Sequence, residues 1–277
     1  DTQRGGPSTG LPTKQEQSDL NALVYGTHGE IPKVVIAPST IEECFYDTVE
    51  AFNIAEQYQC PVIIMTDLQL SLGKQSAEEL DFDKVVIDRG KLVKDLPELE
   101  GHKLFKRYEI TEDGISPRVL PGQKNGLHHV TSVEHDQEGR PSENSANRVE
   151  MMDKRLRKLK NLRISNAIKA DAPHEEPDLL IIGMGSTGGT IDEARSRMKA
   201  KTNHLTIRQI LPFPTDELKP YIEKAKQVVV IENNATGQLA DQIKLHVGFH
   251  DKVKSILKYD GNPFLPSEVY NACKELI

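Results

Sequence analysis

The chain has 277 residues, with 35 Lys and Arg against 42 Asp and Glu and a formal net charge of −7. That length suits about two domains of roughly 100–150 residues, and the acidic balance, with a pI near 5.8, argues against a nucleic-acid binder, which needs a basic footprint. No apolar run approaches the roughly 20 residues that span a bilayer, no basic-then-apolar leader is visible, and the scattered Cys44, Cys60 and Cys273 point to reduced thiols in a cytoplasm rather than to a disulfide scaffold or an iron–sulfur site within this chain.

The first informative segment is Arg4-Gly5-Gly6-Pro7-Ser8-Thr9-Gly10-Leu11-Pro12-Thr13. Its glycines and prolines exclude a stable helix or a central strand. Such a loop brings backbone close to a ligand. Arg4 adds a planar fork suited to a carboxylate or phosphate, and Thr9 and Thr13 add hydroxyls. A ligand loop needs a scaffold on both sides, so the chain is expected to be a piece of a longer protein. Val34-Val35-Ile36-Ala37 reads as a buried strand ended by Pro38. Thr40 then caps a helix with Glu43 at capping-box spacing, and Phe45, Val49, Phe52, Ile54 and Ala55 recur at helical spacing. Pro61 to Asp67 is the next strand, which completes a parallel βαβ unit.

Residues 76–176 lose this periodicity and read as an irregular connection. Val85-Val86-Ile87 and Arg107-Tyr108-Glu109-Ile110 are candidate short strands. Asn144 to Arg163 is a basic helix candidate, and disorder is expected near Ala170–Glu176. Strand and helix alternate again from Pro177. Strands are expected at 178–183, 205–210, 228–232 and 252–258, with helices over Thr187–Lys201, Asp216–Ala225 and Gln238–Val247. This is a compact, mostly parallel α/β domain.

Four motifs invite chemistry. Gly183-Met184-Gly185-Ser186-Thr187-Gly188 has the GxGxxG form between a strand and a helix. The next strand ends in Arg208-Gln209 instead of the acidic residue that holds a ribose, so the bland reading is a tight turn with free N–H groups. His128, His129, His135 and Asp136 raise a metal site, against which a turn or interface role is the better reading. Glu232-Asn233-Asn234-Ala235-Thr236-Gly237 closes a strand and opens a helix, where ligands gather and where turns are made. Asp67 closes a strand too, and a capping role is expected for it.

The opening loop resembles the signature of the α subunit of 2-oxoacid:ferredoxin oxidoreductases, closest to the 2-oxoglutarate type, KorA. Pro38-Ser39-Thr40-Ile41-Glu42-Glu43, Pro61 to Asp67, Glu134-His135-Asp136, Leu211-Pro212-Phe213-Pro214 and Val230 to Leu239 extend the resemblance over nearly the whole chain. The resemblance implies an α/β fold: an incomplete thiamine-diphosphate pyrimidine-binding domain (residues 1–75), the connection (76–176) and a transketolase C-terminal-like parallel α/β domain (177–277). It implies oxidative decarboxylation of 2-oxoglutarate to succinyl-CoA and CO₂ on thiamine diphosphate, with electrons passed to ferredoxin and CoA as co-substrate. A β subunit is the implied partner, holding the diphosphate, Mg²⁺ and a [4Fe–4S] cluster. Arg4 and Thr13, and more weakly Thr9, match substrate-binding positions. Gly5, Gly6 and Gly10 are candidate cofactor contacts. No catalytic residue is expected in this segment, because the family's thiamine-activating Glu lies upstream, so activity is expected only in the complete complex. The competing readings are a pyruvate or other 2-oxoacid enzyme of the same architecture and a non-catalytic nucleotide-binding or scaffold protein.

Overall fold

The computed structural model describes residues 1–98 and 103–277. The elements in order are β1 (Thr2–Gln3), α1 (Leu20–Tyr25), β2 (Val34–Ile36), α2 (Ile41–Tyr58), β3 (Val62–Ile64), β4 (Thr66–Asp67) and α3 (Leu68–Leu72). They continue with α4 (Ser145–Arg157), β5 (Ile168–Asp171), β6 (Leu179–Gly183), α5 (Thr187–Ser196), β7 (Thr202–Ile207) and β8 (Gln209–Leu211). The last are α6 (Thr215–Lys224), β9 (Gln227–Glu232), α7 (Gln238–His246), β10 (Val253–Leu257) and α8 (Pro266–Lys274).

The largest sheet has the order β10-β9-β6-β7-β5. Its first four strands are parallel, and β5 closes the edge antiparallel to β7. The near-continuous apolar runs of β6 and β9 follow from burial on both faces. On one face Leu179, Ile181, Val229 and Ile231 pack against Ile191 and Ala194 of α5 and Val269 and Cys273 of α8. On the other, Leu180, Ile182, Val228 and Val230 meet Leu218 and Ile222 of α6 and Leu239 and Ile243 of α7, together with Leu20, Val24, Val35, Ala37 and Met65 from the first part of the chain. One core therefore joins the first and last thirds of the sequence.

A three-stranded sheet, β3-β2-β8, makes a second joint between them. β2 pairs parallel with β3 and antiparallel with β8. The expected strand over 205–210 is thus two strands in two sheets, broken at Arg208. The reason is the buried Arg208 side chain, which donates to both carboxylate oxygens of Asp47 (2.9 and 2.6 Å) and pairs with Glu50. β1 pairs parallel with β4 in a third, two-stranded sheet. α2 begins where its cap indicates, with Thr40 Oγ1 accepting from Glu43 N at 3.1 Å. The Glu43 carboxylate reaches back one residue further than a capping box, to Ser39 N at 2.7 Å.

Other expectations need correction. Val85-Val86-Ile87 is not a strand. Val86 and Ile87 are 67% and 68% exposed, and the Asn53 side chain serves the backbone there, through Val86 O and Asp88 N. Arg107 to Ile110 is not a strand either, since Gln137 takes the amides of Tyr108 and Ile110. The segment expected to be disordered begins as edge strand β5, and His174 is then tied to the Asn203 side chain in both directions. α1, α3 and α8 form where no element was expected. No described helix is long and apolar enough to cross a membrane.

Candidate functional site

The Gly/Pro loop leaves the carboxyl end of β1, beside the carboxyl end of β4, where parallel α/β folds place ligands. It closes on itself. Gly5 N donates to Lys14 O (3.0 Å), Leu11 N to Gly5 O (2.5 Å) and Lys14 N to Leu11 O (2.9 Å). A Cβ at Gly5 would lie 2.9 Å from Leu11 O, and Gly10 adopts φ +100°, so both positions require glycine. Arg4, Thr9 and Thr13 are exposed on this frame. Arg4 Nη1 donates to Pro12 O at 3.4 Å, which brings the guanidinium next to the residue preceding Thr13. Gly5 and Gly6 are half-buried and use their amides inside the loop, on Lys14 O and Arg4 O. They offer a ligand close approach rather than donors.

The GxGxxG turn opens α5, and its anion position is filled from within. Asp67 Oδ2 accepts from Ser186 N at 2.9 Å and from Gln17 Nε2 at 2.8 Å. A helix N-terminus favours a negative group, and Asp67 supplies it while also capping α3 through Leu70 N. Arg208, the residue that would have met a ribose phosphate, is committed to Asp47 and Glu50. Both features remove the structural basis for a dinucleotide at this turn.

Glu232 is buried and receives Asn234 Nδ2 (2.8 Å), Leu239 N (2.7 Å) and Ala240 N (3.0 Å). It caps α7, and burial pushes its carboxyl above the ordinary value against those donors. Asn234 Oδ1 takes Thr236 N and Gly237 N, making the turn. Within the histidine cluster, His135 lies tilted against Tyr108 with ring centroids 3.9 Å apart, and Asp136 Oδ1 caps a turn through Glu138 N and Arg140 N. Glu134 pairs with Arg155 and Arg148. Among the described residues no group of three or more His, Cys, Asp or Glu side chains could hold a metal ion.

Three glutamines that carry no sequence motif tie this site together. Gln3 Oε1 accepts from Asp19 N at 3.0 Å. Gln15 Oε1 accepts from Gln69 N (2.8 Å), and its Nε2 donates to Ser186 Oγ (3.4 Å). Gln17 donates to Asp67 and to Met184 O (3.1 Å) and accepts from Asn233 N (3.2 Å). Short-range sequence patterns cannot show them, because their partners lie up to 216 residues away.

Residues 1–154 match the family model described as pyruvate flavodoxin/ferredoxin oxidoreductase, thiamine diphosphate-binding, and residues 177–269 match pyruvate:ferredoxin oxidoreductase core domain II. The 2-oxoglutarate synthase subunit KorA of Methanocaldococcus jannaschii is 30% identical, over 98% of this chain and 71% of its own length. The chain belongs to the 2-oxoacid:ferredoxin oxidoreductase α-subunit family. The α subunit of 2-oxoacid:ferredoxin oxidoreductase 1 from Sulfurisphaera tokodaii is 36% identical over 99% of the chain, which spans 43% of that relative's length. A solved 2-oxoglutarate:ferredoxin oxidoreductase from Magnetococcus marinus, with 2-oxoglutarate, coenzyme A and succinyl-CoA bound, superposes with a TM-score of 0.88 at 34% identity, covering 100% of this chain and 48% of that one. The family and the α/β fold expected from the opening loop are thus both found.

Proposed function

We propose that the chain works within a 2-oxoacid:ferredoxin oxidoreductase that converts 2-oxoglutarate and CoA to succinyl-CoA and CO₂, passing two electrons to ferredoxin. The observation that carries this reading is the exposed Arg4 fork, bonded to the carbonyl of Pro12 that precedes Thr13, on a self-closed loop at the carboxyl ends of β1 and β4. The likeness to an enzyme solved with 2-oxoglutarate and succinyl-CoA bound supports the choice of substrate.

Arg4 grips the substrate carboxylate bidentately. Thr13, with Thr9 beside it in the loop, orients the remaining oxygens, so the scissile carboxyl group is held in one direction. Thiamine diphosphate, when bound, supplies the nucleophilic carbon and the electron sink for decarboxylation. Gly5, Gly6 and Gly10 let the loop backbone come close to it, since none presents a side chain. In this reading residues 1–75 belong to the pyrimidine-binding domain and residues 177–277 to the transketolase C-terminal-like domain. A β subunit holds the diphosphate, Mg²⁺ and a [4Fe–4S] cluster, and activity belongs to the complete complex in the cytoplasm.

A pyruvate enzyme is the second reading, because both matching family models describe pyruvate oxidoreductases. The test is an assay of the assembled complex with each 2-oxoacid, CoA and a low-potential acceptor. The expected result is a higher kcat/KM for 2-oxoglutarate. Equal or greater turnover of pyruvate overturns the 2-oxoglutarate assignment.

A further inference from the structure

Gln3, Gln15 and Gln17 are 2%, 4% and 0% exposed, and the reaction proposed above gives them no part. A buried amide is costly unless its polar atoms are bonded. These amides are bonded, and their partners lie on different elements. Gln3 ties the start of the opening loop to Asp19, the residue that precedes α1. Gln15 bonds α3 through Gln69 N and the start of α5 through Ser186 Oγ, while its own amide donates to Gly261 O. Gln17 bonds Asp67 and Met184 O, and its backbone exchanges with the 233–234 turn through Asn233 O (2.7 Å) and Asn234 Nδ2 (3.0 Å). Apolar residues would fill the same space without desolvating polar atoms. What amides add is direction, because each bond fixes a distance and an angle.

We infer that Gln15 and Gln17, working through Asp67 and the N-terminus of α5, are positioning residues that hold the Arg4–Thr13 loop in register for the substrate carboxylate. The inference rests on the reading of that loop as the 2-oxoacid site. The second stem of the loop, residues 14–17, has no strand or helix of its own. Its placement therefore depends on the bonds made by Gln15 and Gln17. A displacement of the stem moves Arg4 and Thr13 together, through the Lys14–Gly5 and Arg4–Pro12 bonds.

The test uses the assembled enzyme. Gln17→Met keeps the length of the side chain and removes both polar atoms. The KM for the 2-oxoacid is expected to rise about tenfold while the KM for CoA stays within about twofold. Amides of residues 5–14 are expected to exchange hydrogen faster. In an Arg4→Ala background the same substitution is expected to change the 2-oxoacid KM by clearly less than the roughly tenfold expected with Arg4 present, because only the Thr13 contact remains to be misplaced. A merely structural role lowers the melting temperature and the active fraction but leaves KM unmoved. Gln15→Met, at the edge of the network, gives the same readout if Gln17→Met fails to assemble. An unchanged KM, or effects of Gln17→Met and Arg4→Ala that simply multiply, overturns the inference. Unchanged 2-oxoacid kinetics in Arg4→Ala alone overturns the substrate reading of the loop and the inference with it, so that one variant separates the two failures.

Discussion

Lys154 is 4% exposed, donates to Tyr108 O at 2.8 Å and has no carboxylate partner among the described ion pairs. Burial, reinforced by Lys158, Arg107, Arg155 and Arg157, lowers it from 10.5 to about 7. In the unfolded chain Lys154 stays protonated up to its ordinary value. Between about pH 7 and pH 10 the unfolded state therefore holds a proton that the folded state has released, and stability rises with pH across that window. Below about pH 7 the full cost of the buried charge is present. Lys154→Met removes this contribution, so chemical denaturation at pH 7 and pH 10 is expected to show a smaller gain in stability for the variant than for the wild type. Equal gains would exclude a buried, neutralised Lys154. The contiguous Gly/Pro motif singled out Arg4, Thr9 and Thr13 in the sequence, and the structure places all three exposed on one loop. Lys154, Gln15 and Gln17 were not legible there, because their character comes from neighbours that only the fold supplies.

Among the elements, the β7–β8 break is the joint with the largest consequence. Arg208 sits between the five-stranded and three-stranded sheets with its guanidinium on Asp47 and Glu50 of α2. The Arg208 and Asp47 side chains are 6% and 5% exposed. Arg208→Met leaves the Asp47 carboxylate buried without its cation, which costs about 3 kcal/mol or more. The double variant Arg208→Met with Asp47→Leu replaces the pair by apolar packing and is expected to recover most of that loss. Equilibrium denaturation checks both, and a double variant as unstable as the single one would show that the joint does not depend on unpaired charge. The parallel βαβ pattern, the Thr40 cap and the strands of the last third were legible because periodicity and capping are local. The division of 205–210 was not, because an apolar run does not say which sheet it joins. β5 was missed for a related reason. Ile168–Asp171 is an edge strand with only one half-buried residue, so it carries little apolar signal.

At the scale of the whole molecule, the two faces of the five-stranded sheet differ in where their covering comes from. The face packed by α5 and α8 draws every residue of its buried cluster from positions 179–273. The opposite face needs Leu20, Val24, Val35, Ala37 and Met65. The dependence runs the other way for β2, whose Val35 enters that shared core while Val34 and Ile36 cluster with Ile54 and Cys60 of the same segment and with Leu162 and Ile164 from beyond it. Residues 1–75 thus complete neither face of their central strand by themselves, although the local patterns of strand and helix within them were legible. A chain of residues 165–277 keeps all five strands of the large sheet, including the β5 edge, and one complete face. It is expected to melt cooperatively, at a lower temperature than the full chain, and to bind a hydrophobic dye through its uncovered face. Residues 1–75 expressed alone are expected to show no cooperative transition and to self-associate, since β2 and β3 would present unpaired edges and bare apolar faces. Mixing the two segments should restore protection of the β2 amides in hydrogen exchange, because β8 and the shared core arrive together. A cooperative, monomeric melt of residues 1–75 alone would mean that the shared core is dispensable to the first segment. The cluster that Val35 and Met65 share with residues of the large sheet would then be a docking surface between independent folds rather than the interior of one.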